Sequence, residues 1–218
     1  MAHRSDPRLL VLHALRVKGF ADAATVAGAT GVDHPVAIAI LEDLGREHLA
    51  LFRSGRRAGW SLTEPGRAEH RDLVAEDLHA AGCRTTVRES YDSFLGVNLE
   101  LLGACTAWQL REVDRHQVAN DHTDPAYDGA VVARLRQVDQ RIRPACDDLA
   151  AAMERFSGYG SRLQVALNHL ESGQVEWFTR PDLDSYHSVW FELHEDLLAT
   201  LGLERAREGE QMLTGSDQ

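Results

Sequence analysis

The chain has 218 residues, 44% of them hydrophobic and 26% charged, with a formal net charge of −11. That length and apolar share support a buried core in one or two domains, and the acidic balance argues against a protein that coats nucleic acid indiscriminately. The charge is uneven, however: residues 1–71 hold ten Arg and Lys against eight Asp and Glu, and the remainder 13 against 26. Lys18 is the sole lysine, so the cations are almost all arginine.

No apolar run approaches 18 residues and no signal-peptide pattern is present, which predicts a cytoplasmic chain without a membrane span. Cys83, Cys105 and Cys146 lie far apart with no CxxC or Cys/His zinc spacing, and read as buried free thiols. In chain order, Pro7 to Val17 is an apolar helix stopped by Gly19. Asp22 to Ala29 is a short alanine-rich helix, and Thr30-Gly31 turns the chain into a third helix opened by Pro35. Val36, Ile40 and Leu44 recur there at helical spacing, with Leu41 beside them. Three helices in this rhythm, the last two joined by a glycine turn, predict a helix-turn-helix.

A short strand over 49–53 and a returning strand over 60–62 flank SGRRAG, a turn with two glycines around Arg56 and Arg57. Thr63 as N-cap, with Glu64-Pro65 in the first turn, starts a helix that runs to Ala81 and stops at Gly82. The order predicts a winged helix-turn-helix over residues 1–82.

Residues 83–218 read as wholly helical. From Thr85 to Leu110, Val87, Phe94, Leu101 and Trp108 fall seven apart, with Tyr91, Asn98 and Cys105 between them, which marks a buried seam. Leu95, Leu99 and Leu102 form a second stripe, so this helix is expected to be buried on more than one side. VANDHTDPAY over 118–127 breaks the pattern. A helix from Asp128 to about Phe156 follows, with a kink or break expected at Pro144. Helices over 161–171 and 182–201 complete the chain, ended by Gly173 and Gly202, and the tail from Glu204 is expected to fray.

The first eighty residues resemble the winged-helix domain of bacterial MarR-type regulators, with WSLTEPGRAEH similar to that family's strand-to-helix junction after the wing. The remainder, including NDHTDPAYD and EWFTRPDLDSYHSVWFELHEDLLATLG, is similar to an actinobacterial family of winged-helix regulators. The resemblance implies a cytoplasmic homodimer that binds double-stranded DNA, with a helical part that pairs subunits and responds to a small-molecule effector.

Carried over residue by residue, the DNA contacts are His34 in the recognition helix, Arg46 on the backbone, and Arg53, Arg56 and Arg57 in the wing. Ile38 and Ala39 stand where base-reading side chains are expected and cannot make bidentate contacts. Two readings follow: DNA binding through wing and shape, or a winged helix used to dock protein without DNA.

A second constellation is aromatic and histidine-rich. Asn98, Trp108, His122, Trp177, Tyr186, His187, Trp190 and His194 are the candidate ligand-binding residues, an apolar setting with a few polar anchors. The alternative is tryptophans in a core with satisfied histidines. His187 and His194 are separated by about 10.5 Å of helix rise, too far to share one metal ion, so no metal and no cofactor are expected. G-x-S-x-G, P-loop, G-x-G-x-x-G and H-E-x-x-H patterns are absent, so no catalytic residue is named and an enzyme is the least favoured reading. The expected fold is mostly α, an N-terminal winged helix-turn-helix with a small β-wing followed by an all-α bundle.

Overall fold

A computed structural model describes residues 1–113 and 115–203. The described chain is mostly helical, with eight α-helices and two small β-hairpins. It divides into two compact units. The first is Met1–Val87 joined by Ala152–Arg155 and by 195–203; the second is Arg88–Ala151 with Phe156–His194. The first unit therefore takes in two stretches from beyond residue 82. No single helix among the described residues is long and apolar enough to cross a membrane.

In the first unit α1 (Pro7–Lys18) starts on Asp6, whose carboxylate accepts from the Arg8 N–H at 2.8 Å. Asp22 caps α2 (Ala23–Thr30) in the same way through the Thr25 N–H, and these bonds hold its carboxyl below the usual carboxylate range. Gly31, at φ +69°, turns the chain into α3 (His34–Arg46). The strands β1 (Ala50–Arg53) and β2 (Gly59–Leu62) pair antiparallel, with Ala50 opposite Leu62 and Arg53 opposite Gly59. Leu12, Leu15, Val26, Leu41, Leu44 and Leu62 are central to one buried cluster drawn from all these elements.

The junction from β2 into α4 (Glu64–Ala81) is the tightest place in this unit. The Thr63 N–H donates to the Leu49 carbonyl at 3.0 Å. The Thr63 hydroxyl reaches the His48 carbonyl at 2.7 Å and accepts from the Gly66 N–H at 3.1 Å. A Cβ at Gly66 would stand 1.9 Å from the Leu49 carbonyl oxygen. Glycine is required there by contact between two backbones, not by an unusual φ.

Polar groups close the unit. His13 on α1 has Nδ1 3.0 Å from His70 Nε2 on α4, and Nε2 2.9 Å from an Asp196 carboxylate oxygen. Arg155 donates to Asp196, and to the Thr200 hydroxyl at 2.8 Å. His13, His70, Asp196 and Thr200 are all buried, and the Arg155 side chain is only 4% exposed. Burial pushes the His70 imidazole down to about 3, with the cations around it adding to the effect.

In the second unit α5 (Arg84–Gln109) buries Tyr91, Phe94, Leu101, Cys105 and Trp108, so the seven-residue seam forms as expected. The second stripe does not. Leu99 is 67% exposed and Leu102 44%, and Val97 and Ala104 are buried instead. The unit is also not all helical. Residues 110–119 form a hairpin, β3 (Leu110–Val113) against β4 (His116–Ala119), with Val113 opposite His116. Val118, read as part of an irregular break, is a strand residue. Arg115 takes φ +65° in the turn, a left-handed conformation with no glycine to announce it.

α6 (Pro125–Ala152) begins three residues earlier than expected because Asp124 caps it, accepting from the Ala126 and Tyr127 N–H groups, both at 3.1 Å. Of the kink or break expected at Pro144 there is no break, since α6 runs on through it, and a single 3-10 turn at Glu154–Phe156 follows. α7 (Tyr159–Glu171) and α8 (Tyr186–Leu201) complete the chain, with the 3-10 turn Val175–Trp177 between them. α8 starts four residues later than expected, at Tyr186, just after Ser185, whose hydroxyl accepts from the Ser188 N–H at 3.4 Å. Asp139 of α6 is buried; it accepts from the Tyr186 hydroxyl at 3.3 Å and from Arg143. The fraying expected from Glu204 lies outside the described residues.

Two stability predictions follow from the first unit. Gly66→Ala places a methyl group inside the Leu49 carbonyl contact, and overpacking of that kind costs about 3 kcal/mol or more. Urea denaturation is expected to show that loss, and an unchanged midpoint would contradict the contact. His70 binds a proton in the unfolded chain near pH 6.5 but in the folded chain only near 3. Its contribution is therefore complete above pH 6.5 and falls by about 1.4 kcal/mol per unit as pH drops toward 3. His70→Gln is expected to lower the slope of unfolding free energy against pH between 6 and 4 by about that amount.

Candidate functional site

The residues carried over as DNA contacts sit on two elements of the first unit. Leu41 and Leu44 of α3 face the core with Ala37, which leaves His34, Val36, Ile38 and Ala39 exposed. Asp33 stands at the N-cap position of α3 but makes no side-chain capping bond, so its exposed carboxylate remains at the end of the helix that would meet phosphate. Arg46 is also exposed but is engaged by Asp43 one turn earlier.

The β1–β2 turn offers a different surface. Residues 51–58 are all exposed, and Arg53, Arg56 and Arg57 form no ion pair among the described residues. The turn is held from behind. Trp60 packs on Phe52 with ring centroids 5.1 Å apart, and Ala21 and Trp60 exchange backbone hydrogen bonds of 3.0 and 2.8 Å. Glycines permit that packing: a Cβ at Gly59 would fall 2.7 Å from the Phe20 ring, and one at Gly45 would fall 2.9 Å from the Trp60 ring. Arg8 braces the end of α3 through Glu47, donating at 2.6 and 3.2 Å, and also reaches Glu69. These bonds hold the Glu47 carboxyl below the usual range.

The aromatic and histidine candidates fall into separate groups within the second unit. Asn98 accepts from the Trp190 indole N–H at 2.9 Å. Trp190 stacks on Phe94 at 4.4 Å, and Tyr186 lies 6.2 Å from Trp190. His194 stacks on Phe94 at 4.8 Å. Trp108 forms a second group with His122 at 4.5 Å and Phe178 at 5.0 Å. Trp177 stacks instead on His169, at 4.0 Å. His187 is half-buried, which pushes its imidazole down, and its backbone N–H donates to the Phe178 carbonyl at 2.9 Å.

Most of the polar atoms in these groups bond to one another. Asn120 donates to the Trp108 carbonyl at 3.1 Å and to Asp128 at 2.8 Å, and His122 Nδ1 lies 3.0 Å from the other Asp128 oxygen. The Tyr127 hydroxyl donates to the carbonyls of Ala107 and Leu110. The NDHTDPAYD segment thus fastens the base of the β3–β4 hairpin and caps α6. Asp128, read as a helix start, and Tyr127, read as the end of a break, carry no local signal of these bonds, because the carbonyls that Tyr127 reaches directly and Asp128 reaches through Asn120 are those of Ala107, Leu110 and Trp108, in earlier elements. His13, His70 and Asp196 were missed as well, because a polar residue on an apolar stripe looks like a surface residue until its partner is known.

Burial pushes the Cys105 thiol up to about 11 and the Cys146 thiol up to about 12, away from the reactive thiolate, whereas Cys83, expected to be buried, is only partly so. Among the described residues no three His, Cys, Asp or Glu are grouped to hold a metal ion. No protein-family description, curated protein or solved structure matches the chain.

The Asn98–Trp190 bond gives a direct check on this packing. Asn98→Leu leaves the indole N–H without its acceptor and is expected to cost about 1–3 kcal/mol. It should be read by urea denaturation followed by tryptophan emission. An unchanged stability would mean that the amide and the indole are not bonded in solution.

Proposed function

We propose that the chain is a DNA-binding transcriptional regulator acting as a homodimer, with residues 1–82 used as a winged helix. The observation that carries this reading is the β1–β2 turn. Three exposed arginines with no ion pair among the described residues stand on a braced hairpin, within residues 1–71, where ten Arg and Lys outnumber eight Asp and Glu. Unpaired guanidinium groups on a fixed hairpin suit phosphate and minor-groove contact. The exposed side of α3 is largely apolar, so sequence preference in this reading comes from groove shape and from His34 more than from bidentate base contacts. Effector control has no comparable support, since most polar groups of the aromatic clusters are engaged with one another, and it forms no part of the reading.

A second reading, protein docking by the same unit, draws on a specific observation. Val36 is 45% exposed, Leu51 51% and Phe52 49%, apolar surface that DNA does not use well.

Titration against DNA from the region upstream of its own gene, over a series of salt concentrations, separates the two. Three arginines per copy in a dimer are expected to give a slope of log K against log salt near −5, about 0.9 for each phosphate neutralised. The double substitution Arg56→Ala/Arg57→Ala should flatten that slope by about 3 to 4. No sequence-preferring binding at low salt would remove the regulator reading in favour of docking, and an unaltered slope would remove the arginines from the interface.

A further inference from the structure

The second unit carries apolar surface that the described residues leave exposed. On α5, Leu95, Leu99, Leu102 and Thr106 share a face roughly a third of a turn round the helix from the Phe94–Leu101–Trp108 seam. The stripe continues into the hairpin, where Leu110 is 38% exposed, Val113 43% and Val118 38%. Both faces of the hairpin are open. Glu112 and Gln117 flank Leu110 on one, Val113, Val118 and His116 lie on the other, and none of these is buried. A two-stranded hairpin is marginally stable by itself in water, and the outer edges of such a hairpin are open to pairing with another strand.

Two glycines add an independent observation. Gly96 and Gly103 lie seven residues apart beside Leu99, and a Cβ at either would meet nothing within 4 Å. Neither one makes room for a neighbour in its own chain, yet each weakens an exposed helix relative to alanine. Glycine at such positions does allow another backbone to come close.

We propose that this surface pairs two copies of the chain, α5 against α5, with the hairpin of each copy laid on the other. Charge points to a second copy in preference to a strongly basic or acidic partner. The chain carries −11, yet residues 110–119 hold two arginines against one Glu and one Asp, and at the other end of the stripe Arg88 pairs with Asp92 at 3.7 Å. Two acidic molecules meet at least electrostatic cost where neither presents net charge. This pairing deepens the dimer of the proposed function and does not depend on DNA.

Sedimentation equilibrium on the full chain without DNA tests it. The wild type is expected at twice the 24.2 kDa chain mass at micromolar concentration. Leu99→Glu/Leu102→Glu should sediment as a monomer with unchanged far-ultraviolet circular dichroism. Gly96→Ala/Gly103→Ala should raise the melting temperature while weakening the dimer about tenfold, opposite signs that a purely local role for the glycines does not produce. A wild type that stays monomeric, a dimer unmoved by the leucine substitutions, or one tightened by the glycine substitutions would overturn the pairing. A dimer that ignores DNA would overturn the proposed function and leave the pairing standing; a DNA-binding dimer unmoved by the leucine substitutions would overturn the pairing and leave the proposed function standing.

Discussion

The first unit is closed by a carboxylate it cannot leave exposed or unpaired. Asp196 is 2% exposed, and an isolated charge so deep would be expelled or neutralised. Arg155 and His13 are the groups that make it tolerable. The 152–155 stretch and the second half of α8 are therefore fixed to the same unit as α1 and α4. Buried ion pairs of this kind contribute little net stability over a well-packed apolar alternative, but they are unforgiving of a missing partner. They specify which segments must meet. A leucine cluster such as Leu12–Leu41–Leu44 can repack in several ways, whereas Asp196 accepts only a neighbour that supplies N–H groups in the right place.

How much of this was legible in the sequence depended on whether the signal was local. Thr63 with Pro65 is a cap followed by proline, and α4 starts there; Asp124 with Pro125 is the same signal inside a stretch read as a break, and α6 starts there, three residues before the expected Asp128. Glycine stops at 19, 31, 82 and 202 all take positive φ. The β3–β4 hairpin escaped notice because its turn uses Arg115 in a left-handed conformation that usually announces itself with glycine or asparagine. On α5 the period showed two apolar stripes, but periodicity says only that residues share a face. It does not say whether anything covers that face, and Leu99 and Leu102 proved exposed. Pro144 marks a place for a kink or a break, and α6 continues through it without a break.

The candidate site divides along the same line. Arg56 and Arg57 between turn glycines were visible as a pair on a hairpin tip, and they stand exposed there. The aromatic group was visible as composition only. Whether tryptophans and histidines line a cavity or complete a core depends on partners remote in sequence, and Asn98 and Trp190 are 92 residues apart. A buried polar side chain in a stretch of aromatics is thus ambiguous until its hydrogen bonds are traced.

The discontinuous make-up of the first unit has a consequence for synthesis. His13 and His70 leave the ribosome long before Arg155 and Asp196. At about 5–20 residues per second, roughly 6–25 s separate His70 from Asp196. The leucine cluster of α1 to β2 lies wholly within the early segment and can collapse at once. The two imidazoles beside it must stay wet until the end of translation, so the nascent unit has a hydrated side that closes last. A chain stalled or cut before α8 would keep that side open, and would be a natural substrate for chaperones and proteases that recognise unfinished proteins.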